Sequence, residues 1–220
     1  MWSFGSNKRR KTSNTKHLKF CIGGDGGVGK SSLFKAIIGL NNEDYKFQRN
    51  YQATPINEFN LVNLKIILDN DEEVIVNIWD TAGQEFKDGD LRDSFLANAD
   101  GAVILYDIQS ASTRHNINQW LDRIRKICGE DIPAVIVGNK MDKVKKNREN
   151  IARECRFTSL TNIKTMLFSV KQRNNYSDSK KKGIYQVLDP FELLLQMYMK
   201  DKHLTIKSVE ILSTQLVETK

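Results

Sequence analysis

The sequence predicts an α/β fold, a mostly parallel six-stranded sheet with helices on both faces. Short apolar runs suited to buried strands alternate with longer stretches whose apolar residues recur at helical spacing. Strands alternating with helices place successive strands side by side in parallel and the helices over them. A length of 220 residues gives room for one well-filled core and too little for two full domains.

Residues 1–16 carry almost no periodic apolar signal and many small polar or basic residues, so they read as a disordered basic arm ahead of a domain over 17–202. Residues 18–22 form a short strand entering a glycine cluster, and 31–40 a helix with Leu33, Phe34, Ile37 and Ile38 on its apolar face. The runs 58–68 and 74–79 flank Asp69, Asn70 and Asp71, a turn-forming cluster, and predict a hairpin. Further strands fall at 101–107, 133–138 and 165–170. Ile117, Trp120, Leu121, Ile124 and Ile127 form one clear helical stripe. Asp189 and Pro190 open another helix, with Asp as N-cap and Pro at the first helical position. Val209, Ile211, Leu212 and Leu216 make a weaker amphipathic pattern, so 203–220 read as a C-terminal tail with a short helix.

The composition, 40% apolar and 28% charged, is ordinary for a globular protein. The longest apolar runs, 101–106 and 134–137, fall far short of the ~20 residues of a spanning helix. The basic N-terminus has no apolar segment behind it to act as a secretory signal. Trp2 rather than Gly follows Met1, and the last four residues lack a cysteine, so no lipid anchor is expected. Cys21, Cys128 and Cys155 show no paired spacing and fit free packing thiols in a reducing, intracellular setting. The net charge of +7 is clustered: Lys8 to Lys11 with Lys16 and Lys19, then Lys143, Lys145, Lys146 and Arg148, then Lys180 to Lys182. Solvated loops and tails account for such runs, and the first also reads as a nuclear-localisation or acidic-surface patch. No aromatic-plus-basic motif supports nucleic-acid binding.

Chemistry enters at Gly24-Asp25-Gly26-Gly27-Val28-Gly29-Lys30-Ser31, which satisfies G-x-x-x-x-G-K-[ST] between a strand and a helix. Glycines let the backbone curl so that several N–H groups point inward at an anion, and the helix N-terminus adds its positive end. Lys30 supplies a mobile point charge for β- and γ-phosphates, and Ser31 a hydroxyl for Mg²⁺. Asp25, Gly26, Gly27, Val28, Gly29, Lys30, Ser31 and Ser32 are thus expected around the phosphates. About fifty residues on, a strand-like run ends in Asp80-Thr81-Ala82-Gly83-Gln84-Glu85. An acid at the C-terminal end of such a strand lies in the crevice where ligands bind, so Asp80 can hold Mg²⁺. Gly83 can offer its N–H to a γ-phosphate, and Gln84 can orient an attacking water.

Asp80 to Glu85 resembles the DTAGQE element of Ras-superfamily GTPases, and the fold implied is the P-loop NTPase G domain. The resemblance asks for an upstream threonine that meets Mg²⁺ and the γ-phosphate. Tyr51-Gln52-Ala53-Thr54 resembles the Y-x-A-T of the Rab and Ran branches and nominates Thr54. Phe47, or alternatively Tyr45, stands where the family packs an aromatic across the guanine edge. Asn139-Lys140-Met141-Asp142 looks like the family's NKxD. A carboxylate at Asp142 accepts from guanine N1–H and the exocyclic amine, a donor pair adenine lacks. Asn139 braces the loop and Lys140 lays its stem along the base. Ser169-Val170-Lys171 resembles S-A-K, whose middle N–H meets guanine O6. The resemblance covers about residues 18–200.

It implies a monomeric switch that binds GTP or GDP with Mg²⁺ at Ser31, Thr54 and Asp80 and hydrolyses GTP slowly through Lys30, Gly83 and Gln84. An exchange factor and an activating protein are the implied partners. Asp25-Gly26-Gly27, Asp90 to Asp93, Thr113, Asn118 to Trp120 and Cys128 to Pro133 are more similar to Ran than to Rab. That branch implies nuclear transport, importin- or exportin-type receptors, and a nuclear and cytoplasmic location. Pro55 and Ile56 depart from the small aliphatic and glycine usual after the threonine, and the C-terminus is not Ran's acidic tail. The segments 39–51 and 172–188 are longer than the pattern asks. The alternatives are a non-prenylated Rab-like GTPase in trafficking or signalling, and a nucleotide-binding pseudo-GTPase scaffold.

Overall fold

In the computed structural model, β1 (Lys16–Gly23) turns Leu18, Phe20 and Ile22 to one face of a sheet and Cys21 to the other, the period of two that a strand imposes. The structure describes residues 15–41, 46–47, 58–81, 89–144, 162–172, 174–175 and 184–218. β2 (Glu58–Leu68) and β3 (Glu73–Thr81) pair antiparallel as the expected hairpin. At its turn Asp71 takes a left-handed φ of 62°, and Asp71 N–H donates to the Leu68 carbonyl at 2.9 Å. β3, β1, β4 (Gly101–Asp107), β5 (Ala134–Asn139) and β6 (Ile163–Ser169) run parallel.

The two faces are filled separately. α1 (Lys30–Ile38) and α5 (Asp189–Met199) bring Leu33, Phe34, Ile37, Phe191, Leu194 and Leu195 onto Phe20, Val103, Leu105 and Val137. On the opposite face α2 (Gly89–Leu96) and α4 (Ile117–Cys128) bring Leu96, Ile117, Trp120, Leu121 and Ile124 onto Cys21, Ile104 and Ile136. The five-residue α3 (Ala111–His115) leads into α4. Cys21 and Cys128 are free thiols, and burial pushes that of Cys21 up to about 12, which keeps it protonated. No helix among the described residues is long and apolar enough to cross a membrane.

Three expectations are corrected. Among the described residues the sheet holds eight strands, two beyond the expected six, in the order β7 (Asn174–Asn175), β6, β5, β4, β1, β3, β2 and β8 (Ile206–Glu218). Both additions are edge strands, the two-residue β7 and the long β8. Leu188, not Asp189, holds the cap of α5, and Asp189 is the first helical residue with Pro190 behind it. The reason is local: a 3₁₀ turn over Ile184–Leu188 runs straight into the helix and leaves no extended residue for a side-chain cap.

The third correction is the tail, which is a strand of this sheet and not a short helix. β8 pairs antiparallel with β2, with register shifts that skip Lys207 and Leu212. Ile206, Val209 and Ile211 therefore stand opposite Leu68, Ile66 and Leu64 and pack on the core, while Leu212 is 48% exposed. Two bulges convert a strand's spacing of two into three and two, which on paper imitates a helix face. Side chains secure the connection, with Ile206 N–H donating to Glu192 Oε2 at 2.9 Å and Gln196 Nε2 to the Leu204 carbonyl at 2.8 Å.

Candidate functional site

The C-terminal ends of the parallel strands deliver their loops to one edge, the place where open α/β sheets hold ligands. From β1 the chain enters the glycine loop. Gly24 has φ 128°, and a Cβ there would collide with the Leu105 carbonyl of the neighbouring strand. Gly29 caps α1 in a left-handed conformation, and a Cβ there would collide with the Asn139 amide. Lys30 begins α1 and folds back over the loop, only 5% exposed, its Nζ donating to the Gly24 carbonyl at 2.8 Å and the Asp25 carbonyl at 2.7 Å. The ammonium thus stands beside the helix N-terminus, in an anion-binding geometry. Ser31 and Ser32 follow on the first turn, half-buried.

Asp80, at the end of β3, is fully buried. Its Oδ2 accepts from Asn60 Nδ2 at 3.0 Å, while Oδ1 has no hydrogen-bond partner among the described residues. Burial raises its pKa, outweighing the Asn60 bond, the charge of Lys30 and the Ser31 hydroxyl, which all favour the carboxylate. An unsatisfied hard oxygen, sealed from water and close to a serine hydroxyl, is a donor set that suits Mg²⁺, a hard cation held by one or two carboxylates together with hydroxyl, water and phosphate oxygens.

The turns after β5 and β6 are braced against the glycine loop. Asn139, 3% exposed, donates from Nδ2 to the Val28 carbonyl at 2.8 Å and accepts at Oδ1 from Val170 N–H at 3.0 Å. The Val170 N–H, which the family resemblance assigns to guanine O6, donates to Asn139 Oδ1 in this structure. Lys140 takes a left-handed φ of 69°, and its Nζ reaches the Gly27 carbonyl at 2.7 Å and Asp107 Oδ2 at 2.8 Å. Ser169 Oγ donates to Asp142 Oδ1 at 2.7 Å, and Lys171 Nζ lies 3.7 Å from Asp142 Oδ2. One carboxylate edge is thereby oriented by a hydroxyl and an ammonium.

Phe47 is half-buried against the apolar cluster under α1 and α5. Thr54, Gly83 and Gln84 lie outside the described residues, as do Tyr45, Pro55, Ile56, residues 1–14 of the arm expected over 1–16, and Lys180 to Lys182. Sequence reasoning missed Asp107 as the counter-charge of Lys140, although its place at the end of a parallel strand was a signal. It also missed what Asn116 and Trp120 hold. Both donate to the Asp25 carboxylate, at 2.8 Å to Oδ2 and 2.8 Å to Oδ1 respectively.

The Ras family model matches residues 19–188. The chain is 34% identical over 138 residues to GTP-binding nuclear protein GSP1 of Encephalitozoon cuniculi (strain GB-M1), covering 62% of this chain and 59% of that protein. It therefore spans less than two thirds of that relative's length. It is 31% identical over 187 residues to Ras-related protein Rab-2B of Dictyostelium discoideum, covering 84% of this chain and 88% of that protein. A match running from the first strand to the last helix's approach, on a sheet that gathers these loops at one edge, means that the chain belongs to the Ras family of GTP-binding switches.

Proposed function

We propose that this chain hydrolyses GTP slowly with Mg²⁺ and works as a Ran-like switch in nucleocytoplasmic transport. Small GTPases of the family bind guanine nucleotide, generally hydrolyse GTP and interact with exchange factors and activating proteins. The observation that carries the reading is the Asn139 bridge, which fastens the phosphate loop to the turns bearing Asp142 and Ser169. Phosphates and base then bind one rigid frame, and a nucleoside diphosphate or triphosphate is the ligand that spans it.

The division of labour follows from the side chains. Lys30 and the loop N–H groups neutralise phosphate charge, and Asp142 reads the guanine edge while Lys140 and Lys171 flank it. Asp80 and Ser31, joined by Thr54, would hold Mg²⁺, which neutralises β- and γ-phosphate oxygens when bound. Gln84 positions the attacking water, and Gly83 and Thr54 report the γ-phosphate to partners. Similarity to GSP1 and the Ran-like motifs support the transport role and importin- or exportin-type receptors. The longer match to Rab-2B favours a second reading, a Rab-like switch in vesicle trafficking.

Two assays on the purified chain test this. Single-turnover hydrolysis of bound GTP, with cell extract added, is expected to release phosphate; a stable GTP complex would replace the enzyme with a nucleotide-binding scaffold. A pull-down with GDP or a non-hydrolysable GTP analogue is expected to recover importin-type receptors with the GTP form alone. Recovery of trafficking partners instead would remove nuclear transport.

A further inference from the structure

A carboxylate inside a loop that cradles phosphate is an electrostatic oddity, since it adds a negative charge where the ligand already carries several. Asp25 occupies that place, one residue into the glycine loop, and its side chain is half-buried. Both of its oxygens are taken from outside the loop. Asn116 Nδ2 donates to Oδ2 at 2.8 Å and Trp120 Nε1 donates to Oδ1 at 2.8 Å, from positions 91 and 95 residues further along the chain.

The donors are themselves firmly placed. Trp120, on α4, is 4% exposed, and its ring would meet a Cβ on Gly23 at 3.4 Å, so it packs against the strand end that launches the loop. Asn116 joins α3 to α4 and accepts the Trp120 N–H at its carbonyl, 3.1 Å away, so the two donors share one helical turn. Behind the carboxylate, the carbonyls of Gly24 and Asp25 both accept from Lys30 Nζ. On its other side Gly24 lies close against Leu105 of β4, which leaves no room for a Cβ there.

We infer that Asp25, Asn116 and Trp120 form a positioning clamp that sets the aim of Lys30. The clamp acts through the backbone: α4 holds the Asp25 carboxylate, the carboxylate fixes the Asp25 and Gly24 carbonyls, and these hold the ammonium over the phosphate site. The two N–H donors also draw the carboxylate's charge toward α4 and away from the ligand. None of the three need touch nucleotide. The clamp rests on the reading of this site as a guanine-nucleotide site, and it belongs to phosphate binding alone, because guanine is read on the far side of Asn139 by Asp142.

The test is a competition assay in which GDP or GMP displaces a fluorescent GDP, run on wild type, Trp120→Phe, Asp25→Ala and the double variant. Trp120→Phe keeps an aromatic ring under Gly23 and removes the donor. It is expected to weaken GDP about tenfold, the value of a hydrogen bond to a charged group, and to leave GMP within about twofold. In the Asp25→Ala background the same change is expected to have no further effect on GDP, since its acceptor is gone. Equal losses for GDP and GMP, no loss for either, or an undiminished loss in the Asp25→Ala background would overturn the clamp and leave Trp120 a packing residue. Wild type that binds no GDP would overturn the nucleotide reading and the clamp with it; wild-type binding with unaltered variants would remove the clamp alone.

Discussion

At the ends of β5 and β6, side chains hold distant loops in place. Asn139 grips Val28 and Val170, Lys140 grips Gly27, and Ser169 grips Asp142, all at partly or wholly buried positions. At the opposite side of the sheet, along β2 and β8, backbone holds backbone in a long antiparallel ladder. Its outward side chains are half-buried or exposed, among them Asn63 and Ser213, paired at 2.7 Å. The first region concentrates its energy in a few buried polar groups that cannot be exchanged for water. The second spreads modest energy over many replaceable contacts. One side is therefore intolerant of single changes and the other tolerant, within one sheet.

The sharpest way to break the comparison is Asn139→Ala. It strands the Val28 carbonyl and the Val170 N–H, each costing about 1–3 kcal/mol when buried. Guanine-nucleotide affinity is expected to fall by about 10²-fold or more, at tenfold per ~1.4 kcal/mol. A loss below threefold in a GDP titration would mean that the bridge contributes little and that this side is as tolerant as the other.

Removing residues 206–220 is the next largest change. Ile206, Val209 and Ile211 are partly buried, about 1 kcal/mol each, or ~3 kcal/mol together. For a chain of this size that corresponds to a Tm lower by roughly 6–12 °C in thermal unfolding. GDP affinity is expected to stay within about threefold, since Asn139, Lys140 and Ser169 bond within the loops of the site while β8 lies at the far edge of the sheet. An unchanged Tm would show that β8 is not paired with β2 in solution. A collapse of GDP affinity would show that the two regions are coupled.

The smallest effect is expected at Leu212→Ser. The bulge turns this side chain out to solvent, so its removal should alter stability by no more than about 0.5 kcal/mol. A loss of core size would place Leu212 inside, with β8 shifted by one residue and every other side chain reversed.

The comparison also separates what could be read in the chain from what could not. The glycine loop and the Asn139–Asp142 turn were legible because each is a contiguous run whose residue types are dictated by local geometry. Gly24 and Gly29 are sites where any Cβ would strike a neighbouring group, so composition itself marked the loop. β8 was misread because its partner lies some 150 residues earlier, as with Asn63 and Ser213, and its bulges gave apolar positions a helical rhythm. The α4 stripe showed Trp120 as an apolar residue at the right spacing, and nothing in that spacing revealed the N–H it offers to Asp25.

The sequence by itself determined the α/β class, the order of the phosphate, metal and base motifs, and the family they resemble. Those properties are carried by residues close together in the chain, where backbone sterics and hydrogen-bonding chemistry act without long-range help. Only the tertiary structure decided that the tail becomes the eighth strand, that Asn139 spends its amide on both sides of the site, and that Asp25 is held from α4. Each of these is a pairing between groups far apart in sequence, and such pairings are chosen by which buried polar group or unpaired strand edge the folded chain must satisfy.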